Sequence, residues 1–263
     1  MNLVKSELRK YFTTRMWWGM AIAVVVAGMA LAALNGFFLT SDAAGQAGMG
    51  SISDATLAKN VYTGGIAVGY LLTLAIGVIA IGGEYRHKTI TSTFLATPKR
   101  PRVMGAKVAA LLVIGAFYGV MSTVGSVAVG ATILSARGHS PFPDGSVWRS
   151  MALGLLVLGV WALIGLGAGI LIPNQIAALL ISIGVAWIVE PILTFVLAAQ
   201  DWGRGIVRFF PSAATQAALD TVVESAPGAI PSLAWWGGTL VLVGYAAVMA
   251  IVGTALTTRR DVS

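Results

Sequence analysis

The charged residues of this chain come in clusters, and the intervals between the clusters decide what it can fold into. No Asp, Glu, Lys or Arg occurs between Arg15 and Asp42, Lys59 and Glu84, Lys107 and Arg137, Arg149 and Glu190, or Glu224 and Arg259. A helix that crosses the ~30 Å hydrocarbon core of a bilayer needs about 20 mostly apolar residues at ~1.5 Å each. Every interval is long enough. The fourth has room for two crossings and is interrupted by Pro173-Asn174-Gln175, a turn-forming trio that reads as a tight link between them. The expectation is an all-α integral membrane protein with six transmembrane helices at about 17–39, 61–82, 108–135, 150–172, 176–199 and 234–256, preceded by a cytoplasmic helix over 1–16 and followed by a tail over 257–263.

The alternative of a large soluble core fails on pattern and on composition. Buried helices of soluble proteins keep a polar stripe, whereas Ala21–Leu34 and Leu153–Ile172 are apolar all round. Only 10% of residues are charged and the mean hydropathy is +0.85, against about 25% charged residues in a soluble domain. The first run exceeds the 7–15 residue core of a secretory signal and is closed early by no small-residue cleavage site, so it is expected to stay in the mature protein. With no cysteine present, disulfides, thiolate chemistry and cysteine-ligated metals are excluded.

The basic residues choose the orientation. Six crossings put the N-terminus (Lys5, Arg9, Lys10, Arg15), the connection between spans 2 and 3 (Arg86, Lys88, Lys99, Arg100, Arg102, Lys107) and the tail (Arg259, Arg260) on one side, which holds 12 of the 17 Lys and Arg. By the positive-inside rule that side is cytoplasmic. A multi-pass protein of the cytoplasmic (plasma) membrane, the inner membrane of the cell, with both termini inside is therefore expected. The net charge of +7 is accounted for by topology and by anionic headgroups, and no nucleic-acid partner is expected.

Two polar segments on that side carry a pattern. Val4, Leu8, Tyr11 and Phe12 recur at helical spacing among Lys5, Arg9 and Lys10, which predicts an amphipathic helix in the interface, bending into the first span near Arg15, with Trp17 and Trp18 at headgroup depth. In Gly83–Arg102, Ile90, Phe94 and Leu95 give a short helix one apolar stripe, and Pro98 and Pro101 end it. That segment reads either as a partner-docking helix or as a solvated loop whose cations enforce topology.

At these residues the chain resembles the type-2 ABC transporter permeases, six-helix export subunits that work beside a separate ATPase. The likeness lies in Glu7-Leu8-Arg9-Lys10 followed by Thr13-Thr14-Arg15, in Gly83-Glu84-Tyr85-Arg86 through Thr89, Leu95, Pro98, Arg100 and Lys107, and in Phe210-Pro211-Ser212 before the last span. It departs from the family at Lys88, where glycine is common. The resemblance implies a cytoplasmic coupling helix between spans 2 and 3, short external re-entrant helices before span 6, and ATPase coupling through Glu7, Lys10, Glu84, Arg86, Thr89 and Pro98. It further implies two copies of an ABC ATPase and a second permease chain, identical or homologous, as partners. No phosphate-binding loop ending in Gly-Lys-Ser/Thr occurs, so no cofactor is expected on this chain and ATP with Mg belongs to the ATPase.

Inside the membrane, Glu190-Pro191 falls in the middle of the fifth expected span. An ionisable residue there is a functional candidate because burying it unpaired is costly, and Pro191 removes a helix hydrogen bond. Glu190 reads either as part of the translocation path or as a hydrogen-bonded fastener of the kink. The pairs Gly65/Gly69, Gly115/Gly119 and Gly165/Gly169 permit close helix packing. Before the last span, Ser212 is expected to cap a short helix over 213–223, with Pro227 and Pro231 closing the segment. His87 and His139 fall on opposite sides, so no metal site is expected. Two rival functions remain: an ATPase-independent secondary transporter or channel, which would bring repeats and several mid-membrane ionisable groups, and a non-transporting scaffold or membrane enzyme.

Overall fold

The computed structural model describes residues 3–42, 52–87, 89, 100–222 and 232–259. Among them every regular element is helical. Six helices are long and apolar enough to cross a membrane: Met16–Leu39, Asp54–Arg86, Arg100–Ala136, Gly145–Leu171, Gln175–Ala198 and Trp235–Thr257, spans 1 to 6 below. The number agrees with the spacing of charges, but several ends do not. Span 2 starts at Asp54 and span 3 at Arg100, each well before the expected 61 and 108, because Lys59 and Lys107 sit inside the helices as buried, paired cations rather than marking their ends.

Local chemistry sets the remaining ends. Ser53 caps span 2 by accepting the Thr56 N–H, and Asp144 caps span 4 by accepting that of Ser146. The tight link between spans 4 and 5 forms as expected, with the Asn174 side chain accepting the Ile176 and Ala177 N–H groups.

Spans 2 and 4 form the centre of the bundle. Their backbones touch: a Cβ on Gly77 would stand 2.0 Å from the Ala162 carbonyl oxygen, and one on Gly165 would stand 2.0 Å from that of Leu74. Gly115 approaches Gly159 in the same manner, and Gly65 approaches Gly28 of span 1. Small residues thus set helix separation, as packing between helices in lipid requires. Span 1 lies along span 3, while spans 1, 5 and 6 turn broad apolar faces outward, with Ile22, Leu180, Phe195 and Ile251 exposed.

A separate helix, α1 (Leu3–Phe12), precedes span 1 and breaks from it over Thr13–Arg15. Its Leu8 and Tyr11 join the core while Arg9 and Lys10 face out. Arg100 donates to the Thr257 carbonyl, and α1 meets spans 2 and 3, so both chain ends share one end of the bundle. This is the basic end; the other is the far end.

Span 5 is discontinuous. Val185–Val189 forms a π turn, in which the Glu190 N–H bonds to the Val185 carbonyl five residues back, and an α-helix resumes at Glu190 with Pro191 in its first turn. After span 5 come Asp201–Val207 and a helix over Pro211–Ala218 that packs against spans 4 and 6, here the cap helix. Its cap is Phe210, not Ser212, because proline fills the first helical position and places Ser212 inside the first turn. It also stops at Ala218, short of 223. Asp220 takes a left-handed conformation (φ 55°), and the Asp220 and Thr221 N–H groups return to the Ala217 and Gln216 carbonyls, closing the helix in a Schellman motif. The expected connecting helix at Ile90, Phe94, Leu95 and Pro98, and the prolines at 227 and 231, lie outside the described residues.

Candidate functional site

Three helical faces converge at the basic end. On α1 and the turn that follows it, Glu7, Lys10, Tyr11 and Thr14 face this way; at the end of span 2, Ala80, Gly83, Glu84 and the C-cap residue His87 do so; on span 3, Lys107, Ala110, Leu111 and Ile114. They enclose a cavity of about 370 Å³. Part of its lining is charged and the rest is largely apolar.

The charges form a closed ring of alternating sign. Lys107 Nζ donates to Glu7 Oε2 at 2.6 Å and to Glu84 Oε1 at 2.9 Å, and Lys10 Nζ donates to Glu7 Oε1 at 2.7 Å and to Glu84 Oε1 at 2.9 Å. The Lys107 side chain is 3% exposed and the two carboxylates 11%, whereas Lys10 is 46% exposed. Burying a lone lysine in a bundle core costs several kcal/mol. Two carboxylates from different elements offset that cost, and in doing so they fix α1 onto spans 2 and 3. Burial pushes the Glu7 carboxyl up, but the Lys107 ammonium and the hydrogen bonds from Lys10 and Lys107 overcome this and hold it below its ordinary value of 4.5. For Lys10, burial pushes down while the bonds to Glu7 and Glu84 push up, and the net direction is above 10.5.

A second tie lies behind the ring. Tyr118 of span 3 donates its hydroxyl to the Trp17 carbonyl at 2.9 Å, so the Tyr11 hydroxyl, hydrogen-bonded to Tyr118, must act as donor. The turn from α1 into span 1 is thereby attached to span 3. Arg86 is exposed at the end of span 2, and Thr89 lines the cavity beyond it. Of the six residues expected to couple to a partner, Glu7, Lys10, Glu84 and Thr89 come together here, Arg86 stands at the edge, and Pro98 lies outside the described residues. Lys107 was not among them. The resemblance includes it, but its place at the very start of a long uncharged run reads equally well as a plain topology marker.

The second candidate pair, Glu190 and Pro191, occupies a different place. Glu190 is 6% exposed and accepts the Ser212 backbone N–H at 2.7 Å, so the carboxylate serves the first turn of the cap helix. The same helix is tied to span 4, where Trp161 Nε1–H donates to Thr215 Oγ1 at 3.0 Å and stacks on Tyr70 of span 2 at 4.3 Å.

The far end of the cap helix is tied by charge. Asp220 Oδ2 accepts from Lys59 Nζ at 2.7 Å and from Arg149 at 2.9 Å, while the Arg149 guanidinium lies 4.8 Å from the centre of the Trp235 ring. Beside it, His139 and the Ser140 N–H bind the Asp54 carboxylate. Among the described residues no three His, Asp or Glu side chains gather into a metal-binding group.

No protein-family model matches this chain, and no curated protein matches it either.

Proposed function

We propose that this chain is the membrane-spanning permease subunit of an ATP-driven ABC exporter, lying in the plasma membrane with both termini cytoplasmic. Two such chains, or this chain and a homologous one, form a translocation path between them, and a separate ATPase supplies the energy. The observation that carries the reading is the charge ring. It makes a helix of the basic end one mechanical unit with the ends of spans 2 and 3, so a push on that end is delivered directly to transmembrane helices.

Other features support it. The basic end holds the larger share of the Lys and Arg residues, as a cytoplasmic end should. The cap helix, wedged against Trp161 about 24 Å along span 4 from Gly145, suits a re-entrant element that closes the outer end of the path. The broad apolar faces of spans 1, 5 and 6 are open to lipid or to a second subunit. An amphipathic drug, lipid or lipid-linked molecule fits such a path best. Against a secondary transporter stands Glu190, the buried carboxylate within span 5: it is engaged by a backbone N–H rather than left facing a path.

The test is purification of the tagged chain in mild detergent with identification of what accompanies it. A stoichiometric ATPase is expected. Arg86→Glu, at an exposed position, should lower ATPase recovery about ten-fold, equivalent to ~1.4 kcal/mol, at unchanged permease yield. Consistent absence of an ATPase, with transport by the lone chain in vesicles, would favour the secondary transporter.

A further inference from the structure

The cavity at the basic end has the size and the mixed lining of a small-molecule site. About 370 Å³ falls within the ~300–1,000 Å³ of small-molecule sites. Met16, Ile79, Ala80, Leu111 and Ile114 form a wall suited to hydrocarbon, while the charge ring contributes two cations and two anions in alternation. A ligand with an excess of either sign would meet unbalanced repulsion from half of that ring.

Among the described residues the ring also keeps hydrogen-bonding capacity to spare. Both lysines reach Glu84 through the same oxygen, Oε1, so Oε2 takes no part in the ring. An ammonium has three donors; Lys10 uses two in the ring and is half exposed. An acceptor oxygen and a donor N–H therefore lie on neighbouring groups that line the same cavity as the apolar wall.

We propose that this cavity binds a phospholipid with a primary ammonium and a phosphate in its headgroup, phosphatidylethanolamine in chemical terms: the ammonium donates to Glu84 Oε2, the phosphate accepts from Lys10, and an acyl chain lies along Ile79, Ala80, Leu111 and Ile114. The site is independent of the exporter reading, since it needs only the ring and the cavity. A bound lipid would complete the seam between α1 and the bundle.

The test is native mass spectrometry of the purified full-length chain with phosphatidylethanolamine, phosphatidylcholine and phosphatidylglycerol of identical acyl chains. The ethanolamine lipid is expected to bind about ten-fold more tightly, because a quaternary ammonium cannot donate and a glycerol headgroup brings uncompensated negative charge. Equal retention of all three lipids would overturn the proposal. So would free phosphoethanolamine binding as tightly as the lipid, which would reassign the cavity to a soluble zwitterion. Ala80→Phe fills the apolar wall while keeping all four ring residues and should weaken retention about ten-fold; unchanged retention would count against the site. As a measurement that needs no variant, an ethanolamine lipid with a photoreactive acyl chain should label 79–80 or 110–114 on irradiation, and labelling confined to the outer faces of spans 1, 5 and 6 would also overturn the site.

Discussion

Lys107 and Glu7, one hundred positions apart in sequence, meet at 2.6 Å in the interior of the basic end. Neither is well placed without the other. Lys107→Met should therefore destabilise the protein by about 3 kcal/mol, since two carboxylates would then share Lys10 alone. The double change Glu7→Gln with Lys107→Met should recover most of that loss. Unfolding midpoints in detergent for the two single variants and the double one give the coupling, and additive effects would show that the pair does not act as a unit.

The pH dependence of the ring follows from the directions of its shifts. A carboxyl held below 4.5 in the fold, as in Glu7, contributes stability above the unfolded value and loses it as pH falls through the folded one. An amine raised above 10.5, as in Lys10, contributes below that value and loses it only as pH rises further. Docking of α1 should be flat between about pH 5 and 10 and weaken in acid below 4.5. A fluorophore on Thr13, at the end of α1, would report it; release near pH 6–7 would contradict this account.

Glu190 gives a test that separates fastening from transport chemistry. Glu190→Gln keeps an acceptor for the Ser212 N–H and should cost under about 1 kcal/mol. Glu190→Ala strands that N–H and should cost roughly 1–3 kcal/mol. Hydrogen exchange at residues 212–218 should rise with alanine and hardly change with glutamine. If both variants keep wild-type exchange but lose transport, the carboxylate acts on cargo instead.

Asp220 holds a left-handed backbone position that glycine would fill more comfortably. Asp220→Gly relieves about 1 kcal/mol of strain yet removes the partner of the buried Lys59. A net loss of about 1–2 kcal/mol is expected, and a more stable variant would show that the pairing with Lys59 and Arg149 contributes little.

The contact between spans 2 and 4 tolerates no added carbon. Gly77→Ala and Gly165→Ala should each prevent formation of a monodisperse protein, because the new methyl overlaps a backbone oxygen. Gly244→Ala, with open space around it, should be neutral or stabilising by up to about 1 kcal/mol. Gel filtration of the three variants side by side distinguishes these outcomes.

The sequence disclosed those features that depend on composition along the chain and concealed those that depend on pairing across it. Six spans follow from the intervals between charges, and the Asn174 link follows from its turn residues. The starts of spans 2 and 3 are hidden in the sequence because Lys59 and Lys107 look like solvated markers until Asp220 and the Glu7/Glu84 pair are seen opposite them. Glu7, Lys10 and Glu84 were singled out through the resemblance, but that they share one ring with Lys107 depends on α1 folding back onto the bundle. Ser212 looked like a cap by residue type. Its real partner, Glu190, lies 22 positions away, and the π turn before Glu190 has no local signature beyond Pro191.

That π turn also sets the angular phase of span 5. Ala178, Ala186 and Glu190 are its buried positions, and they line one seam against the bundle. Deleting one residue within 185–189 would turn the bond from Glu190 to Val185 into an ordinary helical one and leave the phase unchanged. If 185–189 were wound as ordinary α-helix with no residue removed, everything beyond would rotate by about 100°. Glu190 would then swing away from Ser212 toward the hydrocarbon, and a bulky apolar residue would face the cap helix in its place. The span is thus keyed like a spline: its two halves keep their buried positions in step only because the turn absorbs one surplus residue.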